Sequence, residues 1–196
     1  ISFIFYNRIM VGINPMIITA FTLYSRLEQL ALIPIWAISS ALSSIAGQAA
    51  GAGDFKRMKS SSRVSALLSF AVCGVLFLFY VIFSPWLFRI FQSDEQVLFL
   101  ASQIVVWMAL SSYLSIPVFM INTIMSVSGF ANRSLVFTII RIYLLNVPAA
   151  VIGAYFIGKT LPSTMIALFI STIVTVLLYL VVEKKFFTSL ENGKLQ

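Results

Sequence analysis

Long apolar stretches separated by short polar connectors are the dominant pattern of this 196-residue chain. The stretches lack the strict alternation of a half-buried strand, and most reach or exceed the ~20 residues that cross a bilayer as a helix. Six segments are predicted from the pattern: 1–13, 17–50, 64–83, 97–127, 135–157 and 163–182. They predict an all-α, polytopic membrane protein with six transmembrane helices. Segment 1–13 is short for a span, which we interpret as truncation upstream.

Glycine and proline mark where the segments are expected to bend or end. Segment 17–50 is longer than the ~30 Å hydrocarbon core needs at ~1.5 Å per residue, so we expect a bend at Pro34. Gly51 and Gly53 are expected to end this helix, and Asp54 to cap the next element. A basic, serine-rich loop is predicted after the glycine turn, at 54–63, a polar connector at 86–96 after Ser84-Pro85, and a charged tail at 183–196.

The composition agrees with a membrane protein. Hydrophobic residues make up 60% of the chain and charged residues 10%, with a mean hydropathy of +1.02. Soluble domains average about 45–50% apolar and about 25% charged residues. The net charge of +7 lies mostly between the apolar runs, which favours membrane orientation over nucleic-acid binding.

The basic residues also predict an orientation. The connectors near 51–63 and 129–134 and the C-terminal tail share one side of the predicted bundle. That side carries Lys56, Arg57, Lys59, Arg63, Arg133, Lys184, Lys185 and Lys194, whereas the opposite side carries Arg89 and Lys159. Cytoplasmic loops are enriched in lysine and arginine, so the C-terminus is predicted to be cytoplasmic.

Few residues suit covalent or metal chemistry. The chain has one cysteine, Cys73, and no histidine, which excludes an internal disulfide and a Cys/His metal site. The apolar segments hold no paired carboxylates, and the turn GAGD (51–54) lacks the lysine of a phosphate-binding loop. We therefore expect a protein that is not an enzyme and has no cofactor.

Two charged residues lie early in segment 17–50. Arg26 and Glu28 are two positions apart, so on a helix they point to nearly opposite faces and do not pair with each other. Either both lie at the outer water interface, or Glu28 lies deeper and marks a proton or cation site, because a buried charge is costly. Sequence does not fix the depth of this long helix.

Polar residues in two later segments form candidate pathway walls. Ser111, Ser115, Asn122 and Ser126 recur at four, seven and four positions, giving one polar stripe around Pro117. The stripe either hydrogen-bonds to neighbouring helices or lines a water-filled cavity. In segment 135–157, Arg141 either snorkels to the surface or faces the bundle interior. Asn146, near Pro148, either satisfies the carbonyl that the proline leaves free or lines a passage.

Small residues recur along one face of segment 17–50. Ser40, Ser44, Gly47 and Gly51 are spaced by four, three and four positions. Such a face permits close approach of a neighbouring helix. It serves either as simple packing or as a seam along which helices slide when the protein changes state.

Several of these motifs together resemble the multidrug and toxic-compound extrusion (MATE) family. The resemblance is carried by SRLEQL (25–30), by Ile33-Pro34, and by SSIAGQAAGAGD (43–54), which contains Gln48 and precedes basic residues. LFRIFQSDE (87–95) is similar to the outer loop before the family's tenth helix, and SGFAN (128–132) to a cytoplasmic turn. The likeness covers nearly the whole chain and corresponds to helices seven to twelve, the C-terminal lobe.

The resemblance implies one lobe of a twelve-helix antiporter in the cytoplasmic membrane. Such a protein exports drug-like, often cationic, compounds against sodium ions or protons, and its partners are the substrate, the bilayer and the missing N-terminal lobe. Some members carry coupling carboxylates on the seventh and tenth helices, but segments 1–13 and 97–127 contain no acid. An aspartate in the missing lobe is then favoured, and Glu28 is the local candidate.

Two other function classes remain open. A related lipid-linked oligosaccharide flippase should have a more cationic cavity, which Arg8, Arg26 and Arg141 would have to supply. A non-transporting membrane scaffold predicts that the polar stripes are buried between helices without a solvent-connected cavity.

Overall fold

The computed structural model describes residues 16–91, 93–153 and 161–191, so predicted segment 1–13 lies outside the described residues. Every described element is a helix. In chain order they are α1 (Met16–Gly51), α2 (Phe55–Phe91), α3 (Glu95–Leu114), α4 (Ile116–Val127), α5 (Ala131–Ile139), a π-helix (Ile140–Asn146), α6 (Val147–Val151) and α7 (Leu161–Glu191). In the described part of the chain, five stretches are long and apolar enough to cross a membrane, and α4 is a shorter apolar helix. The protein is thus an all-α, multi-pass membrane protein.

The turn between α1 and α2 forms as its glycines and aspartate predict. Gly53 has a φ of +68°, and the amides of Gly53 and Asp54 donate to the carbonyls of Ala50 and Ala49. The Asp54 carboxylate accepts a hydrogen bond from the Arg57 amide at 2.9 Å, which caps α2.

The expected loop at 54–63 is wrong, because α2 begins at Phe55 and includes the basic residues. Met58 and Ser62 lie one turn apart and are both buried, so one face of this stretch packs inward while Lys56, Arg57 and Arg63 stay exposed. Tertiary packing of the inner face thus keeps a polar stretch helical.

The expected end of the third segment at Ser84-Pro85 is also wrong, because α2 continues through Pro85 to Phe91. Pro85 has no N–H for the Val81 carbonyl one turn earlier. The buried Ser84 hydroxyl donates to that carbonyl instead, at a long 3.4 Å. Phe88, fully buried beyond the proline, anchors the continuation.

The fourth predicted segment, 97–127, is two helices rather than one. α3 ends at Leu114 and α4 starts at Ile116, with Ser115 between them. Pro117 cannot donate to the carbonyl four positions earlier and clashes with it, so the helix breaks just before the proline. Asp94 caps α3 by accepting from the Gln96 amide at 2.9 Å.

The last two segments also differ from their predicted form. Residues 140–146 adopt a π-helix upstream of Pro148, and the Val147 amide donates to the Ile142 carbonyl, five positions back. The expected tail from residue 183 is helical as far as Glu191. Phe186, Phe187 and Leu190 are buried there, so packing extends α7 beyond its apolar stretch.

The hydrophobic interior is divided into two clusters. One joins α1, α2, α4 and α7 near the α1–α2 turn and includes Leu42, Met58 and Phe187. The other includes Leu27, Phe88 and Ile104 at the opposite end. We call the first end the basic end. Six of the ten lysines and arginines among the described residues lie there, at the start of α2 and near the end of α7.

Candidate functional site

Glu28 lies between the two hydrophobic clusters. The Ser112 hydroxyl of α3 donates a hydrogen bond to its carboxylate Oε1 at 2.6 Å, across 84 positions of sequence. The buried side chain of Tyr24, one turn earlier on α1, lies beside both groups. Polar partners thus hold the carboxylate. Glu28 is half-buried, which leaves room for a small ion to reach it.

Two cavities meet at this carboxylate. A small one of about 40 Å³ lies between α1, α2 and α3 and is lined by Cys73, Phe77 and Tyr113 together with Glu28 and Ser112. A larger one of about 230 Å³ is lined by apolar residues, among them Leu32, Met108, Phe119 and Leu168. It is also lined by polar residues from four elements: Glu28, Ser111, Ser112, Ser115, Arg141, Asn146 and Thr172. We call the larger space the polar cavity.

The neighbours of Glu28 show its depth in the helical bundle. Cys73 and Phe77 line the same small cavity, and both belong to the uncharged stretch 64–83. Glu28 is therefore level with the interior of an apolar span. The depth of Glu28 in the bilayer stays a prediction; Arg26 is exposed and lines neither cavity at Glu28.

The π-helix positions two further polar residues of the cavity. Arg141 and Asn146 both line it, so a cationic side chain shares the space with the Glu28 carboxylate. The side-chain amide oxygen Oδ1 of Asn146 accepts a hydrogen bond from the buried Ser171 hydroxyl of α7 at 2.9 Å. π-Helical turns are frequent at functional sites, because they redirect side chains that a regular helix would place elsewhere.

The break at Ser115 divides the predicted polar stripe. Ser111 and Ser115 line the polar cavity, whereas Asn122 and Ser126 line a separate open groove of about 460 Å³ with Ser40. The side-chain amide oxygen Oδ1 of Asn122 accepts a hydrogen bond from the Ser134 hydroxyl of α5 at 3.1 Å. The stripe is thus not one continuous wall, since the two helices present their polar faces to different spaces.

The small-residue face of α1 is open in the described part of the chain. Among the described residues, no atom of another element lies within 4 Å of the position that a Cβ would take at Gly47 or Gly51. Ser40, Ser44 and Gln48 are exposed. The close helix approach predicted for this face therefore stays a prediction, as does the bend expected at Pro34.

Sequence reasoning missed three residues at the site: Tyr24, Ser112 and Thr172. Tyr24 precedes Glu28 by one helical turn, a spacing that places two side chains on one face and could have indicated it. Ser112 lies beside the stripe rather than on it, and only tertiary packing brings it to Glu28.

Comparison with known proteins agrees with this architecture. The MatE family model matches residues 1–152, more than half of the chain. A probable multidrug resistance protein, YoeA of Bacillus subtilis (strain 168), is 27% identical over 124 residues, which are 63% of this chain and 27% of that protein. The chain thus spans less than a third of this relative's length.

Solved structures share the fold. An outward-facing multidrug resistance MATE family transporter of the MOP superfamily superposes with a TM-score of 0.90 at 18% identity, covering 97% of this chain and 43% of that one. The MATE transporter ClbM in complex with Rb⁺ gives a TM-score of 0.88 at 21% identity, covering 98% and 45%. The chain belongs to the MatE family of multidrug and toxic-compound extrusion transporters, and its fold covers less than half of such a transporter.

Proposed function

We propose that the chain is the C-terminal lobe of a cation-coupled antiporter that exports drug-like organic compounds by alternating access. Family membership supports transport, and the solved relatives, about twice as long, support a second lobe against which this one rocks. The location is the cytoplasmic membrane, and the charge asymmetry supports an orientation with the basic end and the C-terminus inside. The coupling ion is a proton or sodium ion, and the proposal requires no enzymatic step or cofactor.

The observation that carries the proposal is Glu28 with its hydrogen bond from Ser112, beside the polar cavity. An ionisable side chain inside an apolar bundle is costly and marks an ion or proton pathway. In one state the carboxylate binds the ion. The Ser112 hydroxyl then acts as a second oxygen ligand of a sodium ion, or as a hydrogen-bond donor if the ion is a proton. In the other, the ion leaves and Arg141, which lines the same cavity, offsets the negative charge.

The test is Glu28→Gln in the protein that carries both lobes. The substitution keeps the shape and hydrogen bonding of the side chain but removes its ability to bind a cation. Coupling between two ligands is typically worth about 5- to 150-fold, so gradient-driven efflux of a fluorescent organic cation from proteoliposomes should fall by a factor in that range.

Glu95→Gln is the matched control, because Glu95 is exposed at the start of α3 and outside both cavities at Glu28. It should transport like the parent protein. Unchanged efflux by a correctly folded Glu28→Gln variant would reject the ion-site role, and a parent protein that shows no gradient dependence would reject antiport itself.

The flippase alternative finds less support in the cavity. A diphosphate requires a cationic site, and Arg141 lines the polar cavity whereas Arg26 does not. Glu28 places a carboxylate in the same space. Arg8 lies outside the described residues. The open polar cavity likewise favours transport over a scaffold whose polar residues are packed away.

A further inference from the structure

A groove at the basic end combines a cationic mouth with an apolar floor. It has a volume of about 920 Å³, which is in the upper part of the ~300–1,000 Å³ range of ligand sites, and lies between α2, α4 and α7. Its mouth is lined by Lys59, Arg63 and Lys184. Deeper in, its walls include Leu67, Phe70, Met120, Leu177, Leu180 and Val181.

Both long helices of the groove change character in the same direction. Along one face of α2, Lys59 and Arg63 are followed after one turn by Leu67. α7 runs the opposite way through the groove, and its apolar Leu177 precedes Lys184 toward the basic end. On both helices the charged residues therefore lie toward the membrane surface, and the apolar residues lie toward the membrane interior. A phospholipid has the same polarity.

The charges at the mouth favour an anion. Among the described residues that line the groove there are three cations and one carboxylate, Glu183, which interacts electrostatically with Lys59 and Arg63. Lys59 also lies over the Phe187 ring at 5.6 Å from its centroid, which fixes the ammonium group at the groove. An adjoining cavity shares Lys59 and Arg63 and adds a further lysine, Lys56, and the capping carboxylate of Asp54.

The walls of the groove indicate lipid rather than the second lobe as the occupant. Leu67 is 69% exposed and Leu177 58%, so large branched apolar side chains face outward here. The open face of α1 instead presents Ser40, Ser44 and Gln48, which suit water or a protein partner.

We propose that this groove is a binding site for one anionic phospholipid, with its phosphate at Lys59, Arg63 and Lys184 and an acyl chain along the apolar walls. Basic pockets between membrane helices recognise anionic headgroups in this way. The proposal is independent of which compound the protein transports.

The experiment uses brominated phospholipids as quenchers of tryptophans introduced into the protein with both lobes, reconstituted in nanodiscs. Leu67→Trp reports on the groove, and Leu68→Trp, exposed on the same helix but outside the groove, is the matched position. The protein without an introduced tryptophan supplies the background. Dibrominated phosphatidylglycerol should quench Leu67→Trp with a higher relative binding constant than dibrominated phosphatidylcholine, whereas Leu68→Trp should show no preference.

The cationic mouth is tested with Arg63→Gln/Lys184→Gln in the Leu67→Trp background. Each basic side chain contributes about fivefold to binding of an anionic surface, so this pair should lower the phosphatidylglycerol preference by up to about 30-fold. Arg57→Gln/Lys185→Gln removes the same charge at exposed positions of the same end outside the groove and should preserve the preference.

Four results would overturn the proposal. Equal quenching of Leu67→Trp by both lipids would show bulk lipid, and no quenching by either would show that protein covers the groove. A phosphatidylglycerol preference that survives Arg63→Gln/Lys184→Gln would show that the cationic mouth does not bind the headgroup. A preference that falls equally in the control pair would show general attraction of anionic lipid to the basic end.

Discussion

Among the serine hydroxyls that donate to backbone carbonyls, that of Ser84 has the most consequential position. Its hydroxyl is buried and points to the Val81 carbonyl that Pro85 leaves without an amide donor. In hydrocarbon there is no water to take that role, so an unpaired carbonyl is expensive. Ser84 thereby permits a 37-residue helix to contain an internal proline.

Ser84→Ala should lower the free energy of unfolding by about 1 kcal/mol, the usual value of such a hydrogen bond, with more if the carbonyl stays unpaired. Thermal unfolding of the detergent-solubilised protein measures this. Ser102→Ala is the control: its exposed hydroxyl donates to the Phe99 carbonyl within the uninterrupted helix α3, where a backbone amide is also available. Equal losses in both variants would contradict the role given to Ser84.

At the scale of elements, the turn between α1 and α2 determines how the two longest described helices meet. The turn requires a left-handed residue at Gly53, whose φ is +68°, whereas Gly51 is the last residue of α1 and has no positive φ. The Asp54 cap then starts α2 directly, which brings the basic residues onto a helix rather than a loop. The geometry of the groove between α2, α4 and α7 depends on this helical start.

Gly53→Ala should destabilise the protein by about 1–2 kcal/mol, because a side chain in the left-handed region meets the following carbonyl. Gly51→Ala places the new Cβ in open space. The substitution should be neutral or slightly stabilising, because alanine lowers the conformational entropy of the unfolded chain. Unfolding midpoints of the two variants, compared in one detergent, test the difference. A neutral Gly53→Ala would show that the turn adopts another conformation.

At the scale of the whole molecule, the open face of α1 is the surface best suited to the second lobe. It combines small residues at Gly47 and Gly51 with exposed polar neighbours, and it borders the groove lined by Asn122 and Ser126. Alternating access requires two lobes that meet closely in at least one state. A face without bulky side chains permits that contact.

Gly47→Leu in the protein with both lobes should therefore disfavour the state in which the lobes meet at this face. Overpacking costs about 1–3 kcal/mol, which corresponds to a loss of transport of about 5- to 150-fold, while expression and thermal unfolding of this lobe stay unchanged. Val75→Leu, at a 68% exposed apolar position of α2, is the control and should transport normally. Normal transport by Gly47→Leu would place the contact between the lobes elsewhere.

Local pattern was sufficient for the features that depend on neighbouring residues in the chain. Uninterrupted apolar runs determine the helical, membrane-spanning class, because a backbone in hydrocarbon must satisfy its own hydrogen bonds. The glycines and Asp54 of the first turn were readable for the same reason: φ preference and capping act over three or four positions. The GQ-GAGD turn with its flanking motifs also indicated the family that the comparisons show.

Tertiary structure alone decided what depends on residues distant in sequence. The helical state of 55–63 and of 183–191 results from buried faces that contact other helices, so their polar composition misled. The partnership of Glu28 with Ser112 joins residues 84 positions apart, and Cys73 and Phe77 of α2 line the same cavity. A hydropathy pattern measures the affinity of each position for lipid or water, whereas a site exists where several helices bring their few polar groups to one place.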